Sequence, residues 1–188
     1  MQLRGNTSPG PVRVYWPSQS ASHQVPLLVF CTVGAGAETA CRTLSEDAGL
    51  VVLAVPCDLG GVHDGMNVLA WAADHAAELG ADPARLLVGG EEAGAAVAAA
   101  VAREAQARRW PPVTRQVLVN TSPVPFRDEM KTAPATVVTV QGHAGGDEGR
   151  YAARLRAAGV EVDELRTGGD PWPPAAMNIR GHHRPISE

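Results

Sequence analysis

Three short apolar runs that alternate with segments of helical periodicity most constrain what this chain can fold into. The runs cover residues 27–30, 51–55 and 136–140 and consist almost entirely of apolar or β-branched residues. Strands of this composition are typical of parallel sheets covered on both faces, whereas half-exposed strands alternate apolar and polar residues. The alternation with helical segments therefore predicts an α/β fold with a mostly parallel sheet.

Seven segments are predicted as strands and four as helices. The predicted strands are 12–16, 26–33, 50–56, 85–89, 116–120, 135–141 and 160–165. The predicted helices are at about 38–48, 66–79, 92–108 and 147–158, where small or apolar residues recur at helical spacing. A chain of 188 residues is long enough for one sizeable core and short for two. We predict a single domain over residues 1–188, with 1–11 and 168–188 as irregular tails.

Charge and hydropathy exclude several functional classes. The net charge of -4 gives no basic surface for nucleic acid. The N-terminus lacks the pattern of a signal peptide, and no run approaches the roughly 18 apolar residues that a membrane span needs. We therefore expect a cytoplasmic protein that binds neither nucleic acid nor membrane.

The three cysteines, Cys31, Cys41 and Cys57, are predicted to be reduced thiols. Their number is odd and their spacing is not of the metal-binding type. Cys31 and Cys57 lie near the carboxyl ends of predicted strands, the edge where open α/β sheets bind ligands. Neither has a cation nearby in the sequence to stabilise a thiolate, so buried packing is favoured over a reactive role.

The segment Gly90-Glu91-Glu92-Ala93-Gly94 connects a predicted strand to a predicted helix. It has the form of the G-x-S-x-G nucleophile elbow, in which a strained turn presents a serine hydroxyl to an acyl carbon. Here the central residue is Glu92. A neighbouring imidazole cannot prime a carboxylate as it primes a serine hydroxyl, so the motif indicates an esterase scaffold without the esterase reaction.

Three stretches of the chain together resemble the α/β-hydrolase fold, and within it the bacterial esterase/lipase group related to hormone-sensitive lipase. The first stretch runs from Trp71 through residues 76–80 and 82–86, the second is 89–94, and the third is 147–149 with 151–160. They occur in the family's order between residue 26 and about residue 165. The resemblance implies about seven mostly parallel strands with helices on both faces.

The same resemblance implies that the family's catalytic triad is lost. The family uses a serine, an acid and a histidine in that chain order, because the imidazole must lie between hydroxyl and carboxylate. The family's pattern places Glu92 at the serine position, His143 at the acid position and Trp172 near the histidine position. All three roles are therefore expected to be absent.

The oxyanion loop and the cap are also expected to differ from the family's. The family's His-Gly-Gly-Gly loop corresponds to residues 32–35, where Gly34 could still present a backbone N–H group. Only about a dozen residues precede residue 12, where relatives carry a helical cap, and residues 121–134 form a short link in place of a longer insertion. We expect the cap to be absent and any pocket to be more open, or roofed by the tail.

Glu92 has two interpretations from the sequence. It could act as general acid or base in a cyclisation, elimination or isomerisation, with His143 as a second acid or base. Alternatively, Glu92 caps its helix or binds a neighbouring cation, and His143 is a solvated loop residue. The predicted substrate-binding residues around Glu92 are Thr32, Gly34, Glu91 and Trp172.

Two function classes remain open from the sequence. The favoured class is a repurposed enzyme that acts through Glu92 on a small organic substrate, such as a step of specialised metabolism. The other class is a pseudo-hydrolase that binds a ligand or a partner protein. No cofactor is predicted, and a homo-oligomer or a partner chain stays open. No metal site is predicted either, because the nearby acidic and histidine residues form no recognised ligand motif. Those residues are His63, Asp64, Glu91, Glu92 and His143.

Overall fold

Seven strands form one twisted sheet in the computed structural model, which describes residues 11–18, 24–34, 37–57, 61–121, 132–142 and 148–182. The strands are β1 (Arg13–Tyr15), β2 (Val25–Thr32), β3 (Val51–Pro56), β4 (Ala81–Glu91), β5 (Val113–Val119), β6 (Ala135–Val140) and β7 (Val162–Thr167). The helices are α1 (Glu38–Ala48), α2 (Val62–His75), α3 (Ala93–Arg108), α4 (Glu148–Ala157) and α5 (Trp172–His182), with a 3₁₀ turn at Ala77–Leu79. All seven predicted strands are confirmed.

The strand order is β1-β3-β2-β4-β5-β6-β7, and only β1 runs antiparallel to its neighbour. Strands β2 to β7 are parallel, so their carboxyl ends lie at one edge of the sheet. The register pairs Cys31 of β2 with Gly90 of β4 and Thr32 of β2 with Pro56 of β3. The ends of these three central strands therefore meet where open α/β sheets bind ligands.

Helices cover both faces of the sheet, as predicted. Helices α2, α3 and α4 bury their apolar side chains with Leu27, Val29 and Cys31 of β2. Helices α1 and α5 pack on the opposite face with Leu28 and Phe30. Successive β2 side chains thus alternate between two buried clusters, which explains why the strand is apolar at nearly every position.

Helix α5 corrects the prediction of an irregular tail over residues 168–188. A carboxylate oxygen of Asp170 accepts a hydrogen bond of 3.1 Å from the Trp172 N–H group at the start of the helix. Two prolines follow Trp172, and prolines are tolerated there because first-turn N–H groups have no partner within the helix. Ala175, Ala176 and Ile179 are fully buried, so α5 belongs to the core.

Other boundaries shift by a few residues, and some predictions lie outside the described part. Helix α2 begins at Val62 rather than at residue 66, and β4 begins at Ala81 rather than at residue 85. The predicted absence of a cap concerns residues 1–10 and 122–131, which are not among the described residues. Within the described ranges, none of the helices combines the length and apolarity needed to cross a membrane.

Candidate functional site

Glu92 forms the sharp turn between β4 and α3. Its backbone has φ 51° and ψ -116°, a conformation that is costly for a residue with a side chain, by about 1–3 kcal/mol. Its N–H group donates a 2.9 Å hydrogen bond to the Val119 carbonyl, and its own carbonyl accepts a 3.3 Å bond from the Ala96 N–H group. The turn is therefore held from β5 on one side and from α3 on the other.

Two glycines flank this turn because no Cβ fits at either position. A Cβ on Gly90 would collide with the backbone of Gly94, and a Cβ on Gly94 would collide with the carbonyl group of Cys31. Helix α3 thus packs backbone to backbone on the ends of β4 and β2. The elbow keeps its close strand-to-helix packing although glutamate stands in place of serine.

The Glu92 side chain is exposed and makes no capping hydrogen bond to α3. The residue occupies the N-cap position through its backbone alone. Helix capping, one of the interpretations from the sequence, is therefore not what this side chain does in the structure. Glu92 is one of the residues that line the cleft at the edge of the sheet.

A cleft of about 210 Å³ lies at the carboxyl ends of β2 and β4. It is lined by Phe30, Cys31, Thr32, Val33, Gly34, Ala37, Glu91, Glu92 and Ala93. The structure thus brings Thr32, Gly34 and Glu91 together with Glu92 in one cleft; their binding of a substrate stays a prediction. The Thr32 hydroxyl donates a 3.3 Å hydrogen bond to the Val55 carbonyl, and Gly34 has φ 84°, a conformation that favours glycine.

Trp172 lies behind the cleft rather than on its wall. Its side chain is buried and meets the ring of Phe30 edge to face, with ring centroids 5.5 Å apart. Phe30 lines the cleft, so Trp172 can influence a ligand only through Phe30. His143 lies outside the described residues, and its part in the site stays a prediction.

The start of α3 supplies hydrogen-bond donors beside the Glu92 carboxylate. The first N–H groups of a helix have no partner within the helix, and Ala93 is both the first residue of α3 and part of the cleft wall. Such groups stabilise negative charge on a bound molecule. The cleft therefore places a carboxylate-bearing residue next to the start of a helix, a position suited to binding a polar or negatively charged group.

Cys31, which belongs to the cleft lining, and Cys57 are both buried. A hydrogen bond with the Cys57 side chain, burial and the negative charge of a Cys57 thiolate all hold the pKa of Cys31 well above its usual range. Cys41, on the opposite face of the sheet, has its pKa raised to about 12 by burial and by Glu38. All three cysteines are free thiols and buried, as predicted.

A second polar cluster lies away from the cleft, where α5 meets β5 and β7. Ligand atoms of Glu161, Asp163 and His182 lie within 4.8 Å of one another, a spacing that could hold a metal ion. The guanidinium group of buried Arg115 already lies 2.7 Å from Glu161 and 3.1 Å from Asp163. We therefore interpret this cluster as an ion-pair network that anchors α5. No local pattern predicts this cluster, because Arg115 lies within an otherwise ordinary strand.

Comparisons with known proteins agree with this geometry. The family described as alpha/beta hydrolase fold matches residues 29–135. Carboxylesterase NlhH of Mycobacterium tuberculosis is 33% identical over 122 residues, which cover 57% of this chain and 38% of the relative. Esterase LipI of the same organism is 27% identical over 133 residues, covering 63% of this chain and 42% of the relative. The chain thus spans about two fifths of the length of these curated relatives.

Solved esterase structures share the fold over most of this chain. A bacterial heroin esterase superposes with a TM-score of 0.77 at 20% identity, covering 93% of this chain and 80% of that one. A hyperthermophilic esterase from the archaeon Pyrobaculum calidifontis gives a TM-score of 0.78 at 21% identity, covering 92% and 82%. At such identities the likeness shows the fold alone.

Proposed function

The chain belongs to the α/β-hydrolase fold family, and from that premise we propose that it is a non-hydrolytic member, an enzyme that uses Glu92 as acid or base on a small organic substrate. One observation carries the proposal. The strained strand-to-helix turn has a glutamate at its centre, this residue belongs to the cleft lining, and its side chain does not cap α3. Strained backbone persists where the surrounding structure holds it in place, and it is common at active sites.

The proposed chemistry is a proton transfer within the cleft. The Glu92 carboxylate takes a proton from a carbon or oxygen atom of the substrate, and the carboxylic acid so formed returns it to another atom. These two proton transfers are sufficient for a cyclisation, an elimination or an isomerisation, none of which consumes water. The Ala93 and Gly34 N–H groups stabilise the negative charge on the substrate between the two steps.

The remaining predicted residues have supporting roles in this proposal. Thr32 and Glu91 bind the polar groups of the substrate, and Trp172 holds the Phe30 ring that forms part of the wall. His143 serves as a second acid or base. A cytoplasmic location, and a small molecule as the principal partner, are part of the same proposal.

One observation favours a second candidate function, a pseudo-hydrolase that binds a ligand or a partner protein. Trp172, near the family's histidine position, is packed into the core against Phe30. No histidine is among the described residues that line the cleft. Under this alternative, the cleft binds a molecule without changing it.

A substrate whose reaction needs only a base separates the two functions. 5-Nitrobenzisoxazole opens to a coloured nitrile phenolate when one proton is removed from carbon, and its small ring system suits a cleft of this size. We would compare wild type, Glu92→Gln and the control Glu78→Gln, an exposed residue of the 3₁₀ turn that does not line the cleft, with 4-nitrophenyl acetate as a parallel test for ester hydrolysis.

The proposal expects wild type and Glu78→Gln to accelerate ring opening by about 100-fold over Glu92→Gln, the lower range of general-base catalysis. It also expects no ester turnover above background. Equal rates in wild type and Glu92→Gln would refute the catalytic role of Glu92. If 5-nitrobenzisoxazole binds in an NMR titration without being opened, the pseudo-hydrolase function is supported instead.

A further inference from the structure

Cys31 and Cys57 are neighbours in space although 25 residues separate them in the chain. Strand register pairs Cys31 with Val55, and the Cys57 N–H group donates a 2.8 Å hydrogen bond to the Thr32 carbonyl. Cys57 therefore lies diagonally opposite Cys31 on the same face of the sheet. Both side chains belong to the same core cluster and are 0% and 3% exposed.

The diagonal placement suits two cysteines that are bridged by a metal ion better than two cysteines joined by a disulfide bond. Diagonal neighbours on adjacent strands have Cα atoms about 7–8 Å apart. A disulfide needs Cα atoms about 4.4–6.8 Å apart, so a direct S–S bond would require backbone movement. Two metal–sulfur bonds of about 2.3 Å hold the sulfur atoms up to about 4.6 Å apart and span the wider gap.

We propose that Cys31 and Cys57 form a binding site for one soft monovalent metal ion of the copper(I) type. Thiolate sulfur binds soft ions of this type in preference to harder ions. Two thiolates in a linear arrangement complete the coordination of such an ion. On binding, each thiol releases its proton to solvent and forms one metal–sulfur bond, so one ion replaces two protons without any change of oxidation state. The buried apolar surroundings disfavour strongly hydrated ions such as Mg²⁺.

Two features of the surroundings support this site. Cys31 belongs to the cleft lining, so the pair lies next to the cleft although both side chains are buried. Met66 of α2 is buried in the same core cluster, and its thioether adds to the soft, apolar character of this face of the sheet. Its neighbour Gly65 packs so close to Cys31 that a Cβ there would lie 3.5 Å from the Cys31 sulfur.

Cys41 provides a matched control, because it is equally buried but lies in the core cluster on the opposite face of the sheet. We would titrate the reduced protein anaerobically with Cu(I) in competition with bicinchoninate and follow the colour of the chelator complex. Wild type and Cys41→Ser are expected to bind one Cu(I) per chain. Cys31→Ser and Cys57→Ser are expected to lose at least about 100-fold in affinity, since one thiolate remains.

Retained affinity in Cys31→Ser or Cys57→Ser, or wild type that takes no Cu(I) from the chelator, would overturn the proposal. A serine variant could lose affinity only because it misfolds. X-ray absorption at the copper edge of Cu(I)-loaded wild type therefore tests the ligand atoms directly, without a variant. The site predicts two sulfur neighbours at about 2.3 Å. Nitrogen or oxygen neighbours alone would contradict it. Neither readout depends on whether Glu92 is catalytic.

Discussion

Gly94, in the first turn of α3, lies directly against the carbonyl group of Cys31 at the end of β2. This contact fixes how closely the helix approaches the sheet, and with it the position of Glu92 above the cleft. A Cβ is also excluded at Gly90 of the neighbouring strand β4, because Gly90 lies against the backbone of Gly94. The elbow therefore determines how closely α3 packs on the sheet, and it also positions the side chain of residue 92.

Gly94→Ala is expected to lower the free energy of unfolding by about 3 kcal/mol, because the added methyl group forces backbone atoms of α3 and β2 apart. Gly181→Ala is the control, since nothing lies within 4 Å of a Cβ at that exposed position in α5. There, alanine is expected to be neutral or stabilising by up to about 1 kcal/mol. Urea unfolding followed by circular dichroism measures both. Equal effects of the two substitutions would show that the close contact is absent.

The strain at Glu92 makes a separate prediction about stability. Glycine adopts φ 51° and ψ -116° readily and alanine does not, so Glu92→Gly is expected to be more stable than Glu92→Ala by about 1 kcal/mol. At Glu78, in the 3₁₀ turn and without a positive φ, the order should reverse, with alanine about 1 kcal/mol more stable than glycine. Thermal and urea unfolding of the four variants tests this. If alanine is also the more stable residue at position 92, the turn carries no strain.

The strands of the sheet were predictable because each is marked by a pattern of consecutive residues. Runs such as residues 51–55 are apolar at every position, and such runs have few alternatives to a strand buried on both faces. The elbow was predictable for a similar reason, since two glycines at fixed spacing after a strand are rarely compatible with another geometry. Thr32 and Gly34 were placed near Glu92 by the resemblance of residues 32–35 to the family's oxyanion loop, and Glu91 precedes Glu92 in the elbow itself.

Other features depend on contacts between distant segments and left no local signal. Helix α5 was missed because Pro173 and Pro174 suggest irregular chain, whereas its stability comes from packing on α1 and β2. The pairing of Cys31 with Cys57 depends on strand register and not on spacing in the sequence. The place of Trp172 behind Phe30, rather than on the cleft wall, likewise required the fold.

The Asp163 carboxylate predicts how stability depends on pH. Burial acts to raise the pKa of Asp163, but hydrogen bonds from Asn178 and His182 and the charge of Arg115 lower it overall. A carboxyl group whose pKa is lower in the folded state stabilises the fold above its unfolded pKa of about 3.9. That contribution is lost as the pH falls through the lower, folded value.

Wild type is therefore expected to lose stability between about pH 4 and pH 2, and Asp163→Asn is expected to lose less over that range. Asp74→Asn, at an exposed position of α2, is the control and should follow wild type. Urea unfolding at pH 7, 5, 4, 3 and 2 gives the comparison. Parallel curves for wild type and Asp163→Asn would mean that the network with Arg115 does not contribute to folding.

The burial of helix α5 predicts that the segment beyond β7 is part of the cooperatively folded domain. Ile179 is fully buried against the face formed by α1 and β2, so Ile179→Ala removes packed methyl groups and leaves a cavity. Such a change is expected to lower the free energy of unfolding by about 2–4 kcal/mol. Met177, two residues earlier and 76% exposed, is the matched control, and Met177→Ala should stay within about 0.5 kcal/mol of wild type. Equal stability of the two variants in urea would place α5 outside the cooperative fold.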